Sequence, residues 1–331
     1  MLTLHTCSAD QGAPAPDLAS ATLPPGIVWI DLLNADAAER DFVERVTGLS
    51  VPTYERLSEI ESSSRLSTEK GALYLSTPII YRAQGDEPLS TPLGFMLRAD
   101  LLITIRFKEL SAFTSFKEQI DSKKEVDVSS AGAFVGLGEA IIDRMADVLE
   151  HIGEELDDVS HRIFRAEVAR TDKTRRPARE SADLREVLRR IGRGGDLASK
   201  IRDSLLGMGR IVPYVTSLTA TWLPVELKPR LTTLRDDIVS LNDYAAFLTN
   251  KVQLLLDATL GLINIEQNNI IKVLTIVSVV GVPPTLIASM YGMNFRHMPE
   301  LDWAWGYPYG LALIALSAVC PLLWFKWRGW L

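Results

Sequence analysis

Cysteine and histidine are scarce in this chain of 331 residues. Its two cysteines, Cys7 and Cys320, lie near opposite ends, so the sequence predicts no disulfide framework. The four histidines are scattered and no CxxC or HExxH motif occurs, which argues against a structural zinc site. The lack of a P-loop, a nucleophile–base motif and a metal-ligand cluster argues against an enzyme.

A basic excess and a signal peptide are also missing. The net charge is −7, so no nucleic-acid partner is expected, and divalent cations are the more natural ligands. Residues 1–26 contain Asp10 and Asp17 and lack a positively charged start before an apolar run. We expect a disordered tail over 1–26 and a following domain that stays in the cytosol.

The middle of the chain has the pattern of a soluble protein. Short apolar runs alternate with turn-forming residues over 27–132, which predicts a cytosolic α/β domain. Strands are predicted at 27–33, 72–81, 92–97 and 101–107, with helical spacing at 35–47 and 54–63. Long cytosolic helices are predicted over 133–229, one covering 133–166 and one covering 181–212 that ends near Pro213.

The C-terminal third is organised by one long proline-free stretch. No proline occurs between Pro229 and Pro283, and a helix over 230–291 would be about 90 Å long. The runs 273–291 and 304–325 are uncharged, and each is long enough to span a membrane. We predict a stalk helix continuing into transmembrane helix 1 (230–291), an outer loop (292–303), transmembrane helix 2 (304–325) and a basic cytosolic tail (326–331). The alternative is a buried hairpin in a soluble core.

Two series with a seven-residue period run along the predicted stalk. The first is polar and then small or hydroxylated, with Ile271 as its apolar member: Asp236, Asp243, Asn250, Asp257, Asn264, Ile271, Ser278, Thr285 and Gly292. The second is apolar, with Leu234, Leu241, Leu248, Leu255 and Leu262, extended by Ile238, Ala245 and Val252. Together they favour self-association of helices round a water-filled axis. The alternative is an ordinary solvated face, with the leucines packed on the protein's own core.

Neither membrane run contains a carboxylate, and the first also lacks histidine and cysteine. A dehydrated Zn²⁺ or Ca²⁺ site would need such ligands. The polar groups present instead are neutral oxygens, on Asn268, Thr275, Ser278, Thr285 and Ser289. Neutral oxygens suit an ion that keeps its water shell, and Mg²⁺ gives up water reluctantly.

A specific motif closes the first membrane run. Tyr291-Gly292-Met293-Asn294-Phe295 is followed by Met298-Pro299-Glu300-Leu301, and Gly306-Tyr307-Pro308 opens the second run. This arrangement resembles the signature of the CorA family of divalent metal-ion transporters. The segment Trp29-Ile30-Asp31-Leu32 and the segment Val51-Pro52-Thr53 are more loosely similar to bacterial members. The resemblance extends from about residue 27 to the end of the chain.

The resemblance implies a homopentameric funnel in a bacterial-type inner membrane, with both termini cytosolic. Five copies of transmembrane helix 1 would line the pore, and the second helices would form an outer ring against lipid. Gly292, Met293 and Asn294 would form the selectivity mouth. The pore-lining residues would be Asn268, Ile271, Leu274, Thr275, Ser278, Val282, Thr285 and Ser289, with Ile271, Leu274 and Val282 as apolar constrictions. Glu300 in the outer loop would raise the local cation concentration.

The resemblance also implies control by cytosolic Mg²⁺ at acidic sites between subunits. The stalk offers Asp236, Asp237, Asp243 and Asp257 as candidate sensors. Mg²⁺ is the transported ion that the intact GMN and MPEL segments favour. A Zn²⁺, Co²⁺ or Ni²⁺ transporter of the same superfamily, with or without proton coupling, is the first alternative. A membrane-anchored scaffold without transport is the second.

Overall fold

The computed structural model describes residues 1–6, 18–19, 22–82, 88–122, 129–169, 177–294, 298–299 and 303–330. The chain divides into two compact units, Met1–Leu256 and Asp257–Leu331. The strands are β1 Leu2–Thr6, β2 Ile27–Leu33, β3 Leu66–Glu69, β4 Ala72–Tyr81, β5 Leu89–Leu97 and β6 Leu102–Arg106. The helices are α1 Ala37–Thr47, α2 Tyr54–Leu57, α3 Ser62–Arg65, α4 Ser111–Ser122, α5 Ser130–Ala169, α6 Pro177–Leu218, α7 Leu227–Tyr291 and α8 Gly306–Trp327.

The strands form one six-stranded sheet in the order β1-β2-β6-β5-β4-β3. β2 pairs with β6 in parallel, and the other neighbours are antiparallel. Helix α1 packs its buried Phe42 and Val43 into the core on one face. On the other face Trp29 approaches Phe113 of α4, and Phe95 meets Phe134 of α5 edge-on with ring centroids 5.5 Å apart. Because both faces are covered, the interior strands β2 and β6 are buried along almost their whole length, whereas the edge strand β3 is not.

The prediction of a disordered tail over 1–26 is wrong at its beginning, because Leu2–Thr6 forms strand β1. Leu2 pairs with Leu32 and Leu4 with Ile30, and both of these N-terminal leucines are buried in the core. Burial of two leucine side chains contributes about 3–6 kcal/mol, which together with the backbone pairing to β2 opposes the roughly 5–10 kcal/mol of backbone entropy lost in ordering five residues. The alternation of leucine with polar residues was the signal of a strand. Residues 7–17 and 20–21 lie outside the described part of the chain.

A buried charge network ties β2, β6 and α4 together. The Asp31 carboxylate on β2 accepts two hydrogen bonds from the Arg106 guanidinium on β6, at 3.0 and 2.8 Å. It also accepts one from the Lys117 ammonium of α4 at 3.1 Å and one from the Thr104 hydroxyl at 2.9 Å. Burial alone would raise the pKa of Asp31, but the hydrogen bond and charge of Arg106, with Lys117, lower it below its usual value.

Helix α6 continues to Leu218, past the proline at which we predicted its end. Pro213 removes one backbone donor, at a cost of about 3 kcal/mol in a helix interior. The flanking Ile211, Val212 and Val215 are all buried, and their burial contributes enough to offset that cost. The helix therefore persists because of tertiary packing, which propensity alone does not register.

The leucine seam of α7 packs on the protein's own core, as in the alternative to self-association. Leu234, Ile238, Ala245, Leu248 and Leu255 are buried within the single chain. Glycines on the neighbouring helices let α7 approach closely: a Cβ on Gly138 of α5 would lie 3.0 Å from Leu234, and one on Gly209 of α6 would lie 3.3 Å from Ile238. The seam packs on the protein's own helices, so self-association must use another face of α7.

At Gly207, helix α6 lies directly against strand β4 of the sheet. A Cβ at this position would lie 2.0 Å from the Thr77 hydroxyl oxygen on β4. Thr77 is buried and donates to the Ser204 carbonyl at 3.4 Å, so it has little room to withdraw. We expect Gly207→Ala to destabilise the protein by about 1–3 kcal/mol and to lower the melting temperature by on the order of 5 °C.

Gly192→Ala is the matched control for this substitution. Gly192 is exposed on the same helix, and a Cβ there would meet nothing within 4 Å. Alanine is the better helix former by about 1 kcal/mol, so this variant should melt at the same temperature or slightly higher. Thermal unfolding of the detergent-solubilised full chain measures both. Equal melting temperatures for the two variants would contradict the packing described here.

Candidate functional site

Two helices expose the apolar surface of membrane spans. None of the most apolar 18-residue window of α7 is buried, and only 6% of that of α8 is. Large apolar side chains such as Leu274, Val277 and Leu286 on α7 and Leu316 and Leu323 on α8 are exposed. A hairpin in a soluble core would bury these side chains, and a continuous exposed apolar surface of this size is typical of contact with lipid or with other copies. The buried-hairpin alternative is therefore ruled out.

All eight predicted pore-lining residues lie on one side of α7. At about 100° per residue, positions 268, 271, 274, 275, 278, 282, 285 and 289 fall within an arc of about 120°. Thr275 is half-buried, and the other seven are exposed in the single chain. We call this arc the α7 polar sector. It combines amide and hydroxyl oxygens with the apolar Ile271, Leu274 and Val282.

The threonines of the α7 polar sector are oriented by the helix backbone. The Thr275 hydroxyl donates to the Ile271 carbonyl at 2.8 Å, and the Thr285 hydroxyl donates to the Gly281 carbonyl at 2.7 Å. Each hydroxyl has a single proton, so its lone pairs remain as acceptors. A hydrated cation presents the O–H groups of its water shell, and such acceptors can bind them.

The GMN segment follows directly on the last turn of α7. The Gly292 amide donates to the Ala288 carbonyl at 3.0 Å, which extends the helix pattern to the motif. A Cβ on Gly292 would lie 3.3 Å from that carbonyl, so a larger residue would crowd the turn. Met293 and Asn294 are exposed. Asn294 makes no hydrogen bond with any residue that the structure describes. Glu300, the predicted outer-loop residue, lies outside the described residues.

The C-terminal end of α8 is closed by a cap that sequence reasoning did not find. Gly329 has a φ of +73°, its amide donates to the Lys326 carbonyl at 3.2 Å, and the Trp330 amide donates to the Phe325 carbonyl at 2.9 Å. This is a Schellman cap, and the Trp330 ring stacks on Phe325 at 5.5 Å as its apolar contact. The Lys272 ammonium lies 5.7 Å from the Trp330 ring, so the cap also touches α7. In the sequence, the glycine at position 329 followed by the aromatic Trp330 was the pattern that predicts such a cap.

Comparison with known proteins decides the family. Residues 25–327 match the family model described as CorA-like Mg²⁺ transporter protein. The chain belongs to the CorA-like Mg²⁺ transporter family. The resemblance of the GMN and MPEL segments is thereby confirmed.

Relatives in the CorA family align along nearly the whole chain. The chain is 32% identical over 315 residues to the magnesium transport protein CorA of Yersinia pseudotuberculosis, covering 95% of this chain and 93% of the relative. It is 33% identical over 304 residues to the protein of the same name in Escherichia coli (strain K12), covering 92% of each. The fold is similar to that of the CorA magnesium transporter from Methanocaldococcus jannaschii, with a TM-score of 0.75, 19% identity and coverage of 100% of this chain and 99% of that one. The predicted architecture of an α/β domain, a long helix and two C-terminal apolar helices is confirmed.

The four candidate sensor carboxylates of this CorA-family chain do not converge within one copy. Asp236 pairs with the neighbouring Arg235 at 2.9 Å, and Asp237, Asp243 and Asp257 are exposed along α7. Among the described residues, no group of three or more histidine, cysteine, aspartate or glutamate side chains has the geometry to hold a metal ion.

Helix α5 carries an acidic residue that the sequence reasoning missed. Burial, followed by the charges of Glu139, Asp147 and Asp237, raises the pKa of Asp143 above its usual value. Glu139, Asp143 and Asp147 follow one another at a spacing of four residues, so they share one face of α5. That spacing was readable from the sequence. The proximity of Asp237 on α7 to Asp143 could not be inferred from the sequence.

The side of α7 that faces away from the buried leucine seam is apolar and acidic. Val239, Phe247 and Leu254 are large and exposed there, and Asp243 lies among them. Stepping by 100° per residue places Asn250 and Asp257 on the same side as Asn268, so this face leads into the α7 polar sector. Exposed apolar side chains in such a row are typical of a contact surface.

Proposed function

We propose that five copies of this chain form a membrane channel that conducts Mg²⁺ with most of its water shell. The observation that carries the proposal is the α7 polar sector, one continuous arc from Asn268 to Ser289 that leads to the GMN segment. Five such arcs facing a common axis would enclose a polar path through the bilayer. The second span, α8, would face lipid.

The chemistry of the α7 polar sector favours Mg²⁺ over its competitors. Among the described residues of this sector, none is a carboxylate, histidine or cysteine. Zn²⁺, Co²⁺ and Ni²⁺ bind preferentially to imidazole and thiolate, and a proton relay needs titratable groups. Amide and hydroxyl oxygens bind water rather than replace it, which suits an ion that dehydrates reluctantly.

The exposed side of α7 supports self-association. Phe247 and Leu254 are 55% and 61% exposed in the single chain, and contact with other copies would bury them. The leucine seam is already used within the chain, so this face is the one available for the pentamer. Lys272, Lys326 and Arg328 flank the inner ends of the two spans and favour cytosolic termini in a bacterial inner membrane.

Control by cytosolic Mg²⁺ is the finer part of the proposal. After burial, the charges of Glu139, Asp147 and Asp237 raise the pKa of Asp143, so several carboxylates lie close together where α5 and α7 meet. Carboxylates such as Asp237 and Asp243 would repel one another across a subunit interface, and a bound dication would hold them together. Loss of the ion would loosen the interface. Ile271, Leu274 and Val282 would then move apart, so that the constriction they close by dewetting would fill with water.

Ion entry into proteoliposomes tests the proposed function. The full chain is reconstituted with an interior-negative potential, and entry of Mg²⁺, Zn²⁺, Co²⁺ and Ni²⁺ is followed with entrapped indicators. We expect Mg²⁺ entry well above that of protein-free liposomes and above that of Zn²⁺. A faster entry of Zn²⁺ would favour the zinc-transporter alternative. If none of the four ions enters, the channel proposal is refuted and the membrane-anchored scaffold without transport becomes the favoured alternative.

A further inference from the structure

A cavity of about 240 Å³ lies in the N-terminal unit, away from the α7 polar sector. It opens to solvent and is lined by the end of β4, the start of α4 and the facing sides of α5 and α6. An apolar cavity of about 150 Å³ is large enough to bind benzene. This one therefore has room for an aromatic or branched aliphatic group with a short polar extension.

The floor of the cavity is apolar and well ordered by packing. Ile79 of β4, Ile141 and Met145 of α5 and Ile201 of α6 line it, and all four are buried. A floor of this kind contributes binding free energy by removing apolar ligand surface from water, at about 25 cal/mol per Å². It carries no preference for charge, so the selectivity comes from the rim.

The rim of the cavity is positively charged. Arg82 and Arg144 line it together with a single carboxylate, Glu109, and the Lys108 ammonium lies 5.9 Å from the ring of Tyr81, another lining residue. Arg144 has only a distant ion pair, 3.6 Å from Asp147. Within the described part of the chain, Arg82 has no ion pair or hydrogen bond. Two guanidinium groups therefore remain available at the mouth of an apolar cavity.

Arg82 is also held in an unusual backbone conformation. Its φ is +56°, a left-handed value that costs a non-glycine residue about 1 kcal/mol or more. The position directly follows β4, so the left-handed turn sets the direction in which the arginine leaves the sheet.

We propose that this cavity is a binding site for a small organic anion with an apolar body. The apolar part lies against Ile79, Ile141 and Met145, and the carboxylate or phosphate head pairs with Arg82 and Arg144. Guanidinium groups bind such heads with two parallel hydrogen bonds, which gives direction as well as affinity. A concave apolar site with a few convergent polar groups is the usual form of a small-molecule site.

Calorimetric titration of the full chain in detergent tests this site, with 4-phenylbutyrate as the probe and blank injections into the same micelles. The neutral 4-phenylbutyramide is the matched ligand, since it has nearly the same shape without the charge. We expect the acid to bind at least ten-fold more tightly than the amide. Equal affinities, or no binding of the acid at millimolar concentration, would overturn the proposal.

Variants locate the binding in the cavity. Arg82→Gln and Arg144→Gln should each weaken binding of the acid by about ten-fold and leave the amide unaffected. Arg202→Gln removes an exposed arginine of α6 that does not line the cavity and should change nothing. Melting temperatures within about 2 °C of the wild type show that the variants are folded. Full affinity in both Arg82→Gln and Arg144→Gln would place the probe elsewhere and refute the site.

Discussion

Replacing Asn294 by alanine is expected to reduce Mg²⁺ entry at least ten-fold and to remove the preference for Mg²⁺ over other dications. Asn294 is exposed directly after the last turn of α7 and makes no hydrogen bond with any described residue. Its amide oxygen is therefore available to the water shell of an incoming ion. A hydrogen bond to a charged group contributes about 1.5–3 kcal/mol, and one such bond lost at the barrier corresponds to about ten-fold in rate.

Asn269→Ala is the control for the mouth. Asn269 is exposed on α7 but lies about 100° round the helix from Asn268, outside the α7 polar sector. Its replacement should leave Mg²⁺ entry within about two-fold of the wild type. Asn294→Asp keeps an acceptor oxygen at the mouth and should retain entry. An unchanged ion ranking in Asn294→Ala would refute the role assigned to this residue.

Asp31→Asn is expected to destabilise the protein by about 3–5 kcal/mol, because the buried Arg106 and the partly buried Lys117 would then face a neutral group. The network joins two adjacent strands and α4 through hydrogen bonds of 2.8–3.1 Å. The melting temperature of the full chain should fall by on the order of 10 °C. Asp100→Asn is the matched control: it breaks the exposed ion pair with Arg98, which contributes less than about 1 kcal/mol.

The cost of Asp31→Asn should depend on pH in one direction. Because the pKa of Asp31 in the folded protein is below its unfolded value, its contribution is present above about pH 4 and is lost as pH falls through the folded pKa. The melting temperatures of the wild type and of Asp31→Asn should therefore converge as the pH is lowered from 7 to 3. A gap that stays constant over this range would show that the carboxylate is not the stabilising group.

The two long apolar helices, and the place of the GMN segment directly after the first of them, were predictable because their signals are local. An uncharged run of about twenty residues specifies a span by itself, and the GMN segment is contiguous in sequence. The spacing of the α7 polar sector follows from the period of one helix. Each of these predictions depends on residues within one segment and requires no knowledge of the tertiary contacts of that segment.

The features that sequence reasoning missed depend on tertiary neighbours. β1 is ordered because β2 offers it a pairing edge, and α6 passes Pro213 because Ile211 and Val215 are buried. The leucines of α7 suit either a supercoil of copies or the protein's own core, and glycines on α5 and α6 decide for the core. Asp143 acquires its raised pKa partly from Asp237, a residue almost a hundred positions away. Spacing along one segment cannot report such contacts.

The central claim is that Mg²⁺ passes along the α7 polar sector without giving up most of its water. Hexaamminecobalt(III) has the size and shape of hydrated Mg²⁺ but cannot exchange its ligands. Mg²⁺ entry into proteoliposomes is measured with and without this ion on the outer side. The account predicts block, because the inert complex would occupy the Asn294 mouth as the hydrated ion does. Undiminished Mg²⁺ entry at saturating hexaamminecobalt(III) would contradict passage of a hydrated ion.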